Sequence, residues 1–434
     1  MKRREFLEAG LAGGSAVWLM SQTAGIAAPE NADEIKVALI GAGSQGRVLL
    51  SSSLLVPGIR FRAVCDIWEY ARNYGQNYLK TGGQEVNAYA DYREMLDKEK
   101  GLQAAIVATP DFVHAEQVTA CLKAGLHVYC EAPMAHSTDD ARAMIKAMRD
   151  TGRLLQIGYQ RRSNPRYLHA CERLLREAEL TGRVVQVNAQ WVMPAGEDRG
   201  WPRRYAIADD VLRRYGYASM GELRNWMNVK KLGSGPFAGF AAHQIDAINW
   251  FLGAKPKSVL AADGRDYYKT RQWYDNVSAI YEYETAGGPV RALCQVLTTS
   301  SAGGTGHFEH FLGIDGSIKI SENPKWTKLY REVDSPDWDD WISKGYVGKR
   351  SKAGEKPPTS GEKVVQETGQ VETYELPVVL DKPAVQPHLQ NFVDAVRGKA
   401  KLNCPADTAL PAEIAVRKAY EAVEAKKMIE ITAG

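Results

Sequence analysis

"IKVALIGAGSQG", residues 35–46, is the stretch on which the reading of this chain turns. Ile35 to Ile40 form an apolar run, and Gly41-Ala42-Gly43-Ser44-Gln45-Gly46 then fits GxGxxG. The glycines close a predicted strand and open a predicted helix, "GRVLLSSSLL" (46–55). Asp66 lies 20 residues after Gly46, at the end of a second predicted strand, "IRFRAVCDI" (59–67). In this setting the glycines let backbone N–H groups and a helix N-terminus approach a pyrophosphate, with Ser44 and Gln45 in the same turn. Asp66 accepts from the ribose hydroxyls. An acid there repels a 2′-phosphate, which favours NAD over NADP.

The alternation continues outward from this motif. "QAAIVATP" (103–110) reads as a strand, "AEQVTACLKAG" (115–125) as a helix and "HVYCEAP" (127–133) as a strand. "TDDARAMIKAMRDTG" (138–152) is an amphipathic helix ending at Gly152, and "LLQIGYQ" (154–160) is a further strand. Strands alternating with helices predict βαβ units and a doubly wound parallel sheet over residues 33–158. After Arg162 the texture changes. A helix from about Pro165 to Glu179 leads to long strand-like runs, "RVVQVNAQWVM" (183–193), "NVSAIYEYET" (276–285) and "VRALCQVLTTSS" (290–301). These predict an α+β domain over residues 159–434 with a large open, mostly antiparallel sheet. Residues 322–376 have weak periodicity and read as loops, and "PAEIAVRKAYEAVEAKK" (411–427) reads as a last helix.

At 434 residues and 44 % hydrophobic, the chain can bury a large core in two domains. Its 55 Lys and Arg against 52 Asp and Glu leave a net charge of +3 with no basic tract, which argues against nucleic acid as a partner. Residues 1–28 place Arg3 and Arg4 before an apolar, small-residue stretch ending in Gly25-Ile26-Ala27, resembling a twin-arginine export signal with a small-residue cleavage site. The expected partners therefore include the twin-arginine export machinery, and the expected location is periplasmic or otherwise exported. No other stretch approaches the ~20 apolar residues of a membrane span, so no stable membrane anchor is expected. The six cysteines (65, 121, 130, 171, 294 and 404) form no CxxC pair and read as buried, unpaired small hydrophobes.

"ATPDFVHAEQV" (108–118) and "AGLHVYCEAP" (124–133) resemble the Gfo/Idh/MocA oxidoreductase family. The likeness runs on through "GYQRRSNPRY" (158–167), "AAHQIDAINWFLG" (241–253), "FLGIDGSIKISENP" (311–324) and "HLQNFVDAVRG" (388–398). It implies a Rossmann domain and a second domain whose open sheet covers the site and mediates a homo-oligomer, a dimer or tetramer. It also implies NAD(P)-dependent chemistry on sugars, cyclitols or glycosides. Thr109, Pro110, His114 and Glu131 fall beside the cofactor on this likeness. The family's strand ends in Glu-Lys-Pro, its lysine bonding the reacting hydroxyl; that position is Ala132 here. The family's helical Asp, four residues before its His, is Gly239, whereas the His is present as His243.

Removing a general base typically costs ~10²–10⁴-fold, so either another group has taken over, the reaction has changed, or the protein no longer catalyses. His243 is the expected acid/base, with Asp246 one turn on to orient it. Tyr159 is a second catalytic candidate, and Arg162, at the family's usual arginine position, is expected to touch substrate. Arg161 and Arg166 read as solvated or paired. His307 and His310 flank Glu309, but alternating polar residues on a surface strand account for them better than a metal site does, so no metal is expected. Tyr267, Tyr268, Trp273 and Tyr274 suit sugar stacking or interface packing equally. The leading reading is an exported, NAD-dependent oxidoreductase acting on a sugar or glycoside hydroxyl, with a tightly held cofactor. A redox-neutral NAD-dependent glycosidase and a non-catalytic sugar-binding paralogue are the alternatives.

Overall fold

The computed structural model describes residues 34–301, 306–352 and 371–432. The export signal expected over residues 1–28 lies outside them. Six strands form the first sheet: β1 (Ile35–Ile40), β2 (Ile59–Cys65), β3 (Asn87–Tyr89), β4 (Ala104–Val107), β5 (His127–Cys130) and β6 (Leu155–Ile157). Their order is β3-β2-β1-β4-β5-β6 and every pair is parallel. This is the doubly wound order whose direction reverses between β1 and β4, where such sheets bind ligands. Helices cover both faces, so β4 and all of β1 beyond the exposed Lys36 are apolar rather than alternating.

The connecting helices are α1 (Ser44–Ser53), α2 (Glu69–Thr81), α3 (Tyr92–Lys98), α4 (His114–Lys123) and α5 (Thr138–Thr151). In α5, the Ser137 hydroxyl accepts from the Asp140 N–H at 3.1 Å, and Asp139 and Asp140 complement the helix dipole. Gly152, left-handed at φ 64°, ends it.

The second sheet has ten strands in the order β14-β15-β13-β12-β11-β7-β10-β9-β8-β16. They are β7 (Val184–Val192), β8 (Pro256–Gly264), β9 (Asn276–Thr285), β10 (Gly288–Leu297), β11 (Gly306–Gly313), β12 (Gly316–Ile320), β13 (Lys328–Arg331), β14 (Arg350–Lys352), β15 (Glu372–Tyr374) and β16 (Ile429–Glu430). All pairs are antiparallel except β7 with β10. Val290, Ala292, Cys294 and Val296 of β10 point into the core while Arg291 and Leu293 point out. Strands β13–β15 lie inside the stretch read as loops. Each is three or four residues long, too short to give an alternation that sequence can display.

Helix α6 (Gly235–Leu252) and helix α8 (Ala406–Ala425) pack on the inner face of this sheet, and α8 also packs on α5. Helix α7 (Gln386–Val396) returns to the first sheet, burying Leu389, Phe392 and Val393 with Leu39, Phe61 and Tyr129. On its other face the first sheet shares one continuous core with the second. All six cysteines are free and buried in this packing. No helix among the described residues is long and apolar enough to cross a membrane.

Two adjacent arginines after β6 bind the layers together. Arg161 pairs with Glu309 of β11, which also accepts from the Tyr167 hydroxyl at 2.8 Å. Arg162 makes a forked contact with Asp246 of α6, Nε to Oδ2 at 2.8 Å and Nη2 to Oδ1 at 2.9 Å. With Asp246 1 % exposed, removing the arginine strands a buried carboxylate. Arg162→Met should therefore cost roughly 3–5 kcal/mol in urea unfolding, and adding Asp246→Leu should recover most of it. A single-variant loss under ~1 kcal/mol would mean that water reaches Asp246.

Candidate active site

The Gly-rich turn sits where the first sheet reverses direction. Gly41 has φ +92°, and a Cβ there would lie 2.6 Å from the Ala108 carbonyl oxygen. A Cβ on Gly46 would lie 1.9 Å from the Gly41 oxygen, so α1 can pack on the turn only through glycine. Gly43 differs: no protein atom lies within 4 Å of where its Cβ would be. That open space, in front of the α1 N-terminus, is what a dinucleotide pyrophosphate requires. Asp66 closes the same turn, accepting from the Ala42 N–H and the Trp68 N–H, both at 2.8 Å. Each of its oxygens keeps a second lone-pair direction for a ribose hydroxyl.

Thr109 and Pro110 follow β4 beside Gly41, both partly exposed, and the Thr109 hydroxyl donates to Gln117 at 2.6 Å. Glu131 ends β5. Its Oε1 accepts from Gln45 Nε2 at 2.9 Å, tying the strand end to the Gly-rich turn, and its Oε2 accepts from the Ala132 N–H at 3.0 Å. Burial pushes the Glu131 carboxyl up to about 7.

His114 is not available to a cofactor. It is 1 % exposed; Nε2 lies 2.8 Å from the Thr109 oxygen, and Nδ1 lies 3.2 Å from that of Pro133. The ring staples the loop after β4 to the loop after β5, because both nitrogens are committed to carbonyls. Arg162 and Asp246 likewise do not face substrate, since each neutralises the other in the core. Asp246 consequently does not orient His243, although it is one turn along α6. The Tyr159 hydroxyl is also unavailable: the side chain is fully buried and donates to Glu413 of α8, whose Oε1 accepts from the Met134 N–H as well. What Tyr159 gives the site is its ring, edge-on to His243 at 5.3 Å.

His243 is partly exposed, but its Nδ1 is buried with no protein partner. Burial, with Arg161 nearby, drives the imidazole down to about 3, so it is neutral at pH 7. Its ring lies 6.1 Å from Trp191 of β7, which stacks on Phe240 at 4.9 Å and on His307 at 4.4 Å. His307 Nε2 is 3.0 Å from Glu322 Oε2, and Gln160 Nε2 donates to Glu322 Oε1 at 3.2 Å. Burial opposes ionisation of Glu322, but the His307 N–H and the Arg161 charge outweigh it and hold the carboxyl at about 2. A carboxylate only accepts, so His307 donates to it from Nε2. Arg161, 1 % exposed, keeps Nε and Nη2 free of hydrogen bonds.

Within this cluster Ala132 and Gly239 present no polar group. A Cβ on Gly239 would meet only the thioether of Met227, 3.8–3.9 Å away. His310 leaves the cluster for the opposite face of β11, where Nε2 meets the Ser317 hydroxyl at 2.9 Å. Glu309 is wholly buried on the inner face, so β11 is not the surface strand its alternation suggested. Among the described residues no group of three or more His, Cys, Asp or Glu is arranged to hold a metal ion. Trp273 packs on Tyr420 in the core, and Tyr268 is held under Arg271.

Sequence reading missed Glu322, Trp191, Phe240 and Glu413. Glu413 leaves a trace, because it is an acid on a helical stripe with Ala409, Ala412 and Val416, all buried. Glu322 leaves none, since it gains its meaning only when β12 pairs with β11.

With this geometry in view, two family descriptions match the chain. "Oxidoreductase family, NAD-binding Rossmann fold", of the Gfo/Idh/MocA family, matches residues 35–159, and the Gfo/Idh/MocA C-terminal domain matches residues 172–319. An inositol 2-dehydrogenase of Rubrobacter xylanophilus is 32 % identical over 224 residues, 51 % of this chain and 53 % of that protein. A 4-carboxy-2-hydroxymuconate-6-semialdehyde dehydrogenase of a Sphingobium strain is 33 % identical over 142 residues, 31 % of this chain and 42 % of its own. The match thus spans about half the length of these relatives. The WlbA dehydrogenase of Bordetella pertussis, solved with NADH and UDP-GlcNAcA, superimposes with a TM-score of 0.66 at 17 % identity, covering 92 % of this chain and all of that one.

Protonated Glu131 is the form the fold prefers. Between its ordinary value of 4.5 and about 7, the folded state holds a proton that the unfolded chain has released, so stability falls as pH rises through that window. Glu131→Gln removes this term. In urea unfolding of cofactor-free protein, the variant should gain on the parent by roughly 3 kcal/mol between pH 4.5 and 7.5. A difference that does not change with pH would refute the assignment.

Proposed function

Because the chain belongs to the Gfo/Idh/MocA family and carries its NAD-binding Rossmann domain, we propose that it oxidises or reduces a hydroxyl-bearing carbon of a sugar, cyclitol or glycoside. The observation that carries this reading is the orphaned Nδ1 of His243, buried beside Trp191, with the His307–Glu322 pair on the other side of that ring. NAD, when bound, supplies the hydride acceptor. The protein's task is then to position a carbinol and take its hydroxyl proton. His243 is neutral and unpartnered, so it can bond the hydroxyl. His307, its Nε2 anchored on the Glu322 carboxylate, presents its other ring nitrogen as a second hydrogen-bonding group for the hydroxyl. Trp191 and Phe240 give a sugar ring an apolar wall. Together these groups stand in for the lysine and aspartate that Ala132 and Gly239 replace. An inositol dehydrogenase among the relatives and a nucleotide-sugar dehydrogenase among the structures support this substrate class.

The proposal extends to location and assembly. Arg3 and Arg4 support twin-arginine export. Leu260, Ile280 and Leu293 are 42 %, 43 % and 38 % exposed and lie side by side across β8, β9 and β10, which supports a homo-oligomer joined through the open sheet.

Purified protein incubated with myo-inositol, methyl glucosides and UDP-sugars should convert one of them to a product two mass units lighter. His243→Ala and His307→Ala should each lose roughly 10²-fold or more in kcat while NAD binding is retained. Full turnover in both variants would move the proton transfer elsewhere. Cofactor binding without oxidation of any member of the panel would end the oxidoreductase reading.

A further inference from the structure

Between β7 and α6 the chain leaves the second sheet and lies across the ligand edge of the first. Residues 193–234 touch the loops that follow β1, β2 and β4. Trp68 Nε1 donates to the Tyr205 oxygen at 2.7 Å, the Arg224 guanidinium lies 4.6 Å over the Trp68 ring, and Tyr70 packs on Tyr205 at 5.3 Å. Phe112 packs edge-on to Tyr217 at 5.5 Å, and the Ser234 N–H donates to Asp111 at 2.9 Å. At the turn itself, Arg199 Nη1 comes 3.4 Å from the Ser44 hydroxyl, at the first residue of α1.

Arg199 is held there by its backbone. Its N–H donates to Asn225 Oδ1 at 2.7 Å, and its carbonyl accepts from Asn225 Nδ2 at 3.2 Å. Its guanidinium has no ion-pair partner among the described residues; the neighbouring Asp198 belongs to Arg271 instead, at 2.9 Å. The other nearby arginine, Arg47, is already engaged by protein, its Nε donating to the Ala42 oxygen at 3.3 Å and its guanidinium lying 3.7 Å over the Tyr74 ring. Helix α1 has no acidic residue in its first turn. A helix N-terminus without an acid, an arginine without a carboxylate, and the open space at Gly43 thus converge on one point, and each lacks a negative charge.

We propose that Arg199 is a ligand of the cofactor pyrophosphate supplied by the second domain, and that the 193–234 segment is the latch that retains the dinucleotide. The matched NAD-binding domain supplies the anion, and this chain's own strap supplies the counter-charge. A dinucleotide gripped by both domains leaves only when the Trp68–Tyr205 and Arg199 contacts open together. Retention of this kind suits a protein that carries its cofactor away from the cytoplasmic pool.

The test uses the full-length protein and measures NADH release by fluorescence during dilution into excess NAD. Arg199→Ala should release NADH about tenfold to a hundredfold faster, with Arg199→Lys in between. Arg203→Ala, an exposed arginine on the same segment, should release it at the parent rate. Affinity for ADP-ribose should fall in Arg199→Ala while affinity for adenosine, which lacks the pyrophosphate, stays unchanged. Release at the parent rate in Arg199→Ala overturns the proposal. So does an equal loss of adenosine and ADP-ribose binding, because that pattern marks a collapsed strap rather than a lost charge contact. A parent protein that binds no NADH at all would instead count against the cofactor assignment itself.

Discussion

The buried pair of Arg161 and Glu309 is the constraint on which the rest of the structure depends. Arg161 leaves the end of the last strand of the first sheet, and Glu309 sits in the middle of the second. Both are removed from water, so neither charge tolerates displacement of the other. The Tyr167 hydroxyl and the more distant Glu322 complete the network. This contact fixes the second sheet against the cofactor domain, and with it the positions of His307, Trp191 and Glu322. Arg162, the next residue, does the same for α6 and therefore for His243. Two consecutive side chains, diverging in opposite directions, set the geometry of the candidate site.

That geometry explains how a site can stand around a methyl group and a glycine. Ala132, Gly239 and the Met227 thioether bring no charged group to this cluster. On the second sheet, His307 is backed by Glu322 and stacked on Trp191. His243 remains, but burial has made it a neutral hydrogen-bonding group rather than a strong base.

Several polar residues that look functional in the sequence serve the frame instead. His114 joins two loops through their carbonyls, Tyr159 gives its hydroxyl to Glu413, and Asp246 is consumed by Arg162. Tyr159 sits two residues past a strand end, Asp246 lies on the helix that carries His243, and His114 opens the helix after the β4 loop, which is why each reads as a site residue. Burial separates the roles. His114, Tyr159 and Asp246 spend their polar atoms on protein partners, whereas His243 keeps a buried Nδ1 without one.

The sequence by itself determined five of the six strands of the first sheet (all but the three-residue β3), the cofactor turn and the alternation of the long second-sheet strands. These features are local: a glycine forced by a 1.9 Å approach, an acid 20 residues on, and periods of 2 and 3.6 that a short window displays. His243, by contrast, was named from the resemblance of residues 241–253 to the family and not from any local period. Only the tertiary structure decided which polar side chains face one another. Glu322 meets His307 because β12 folds back on β11, Glu413 meets Tyr159 across 254 residues, and Arg199 reaches Ser44 across 155. Pairings over such separations follow from packing and burial, whose energy depends on all the neighbours at once, and no window of sequence contains it.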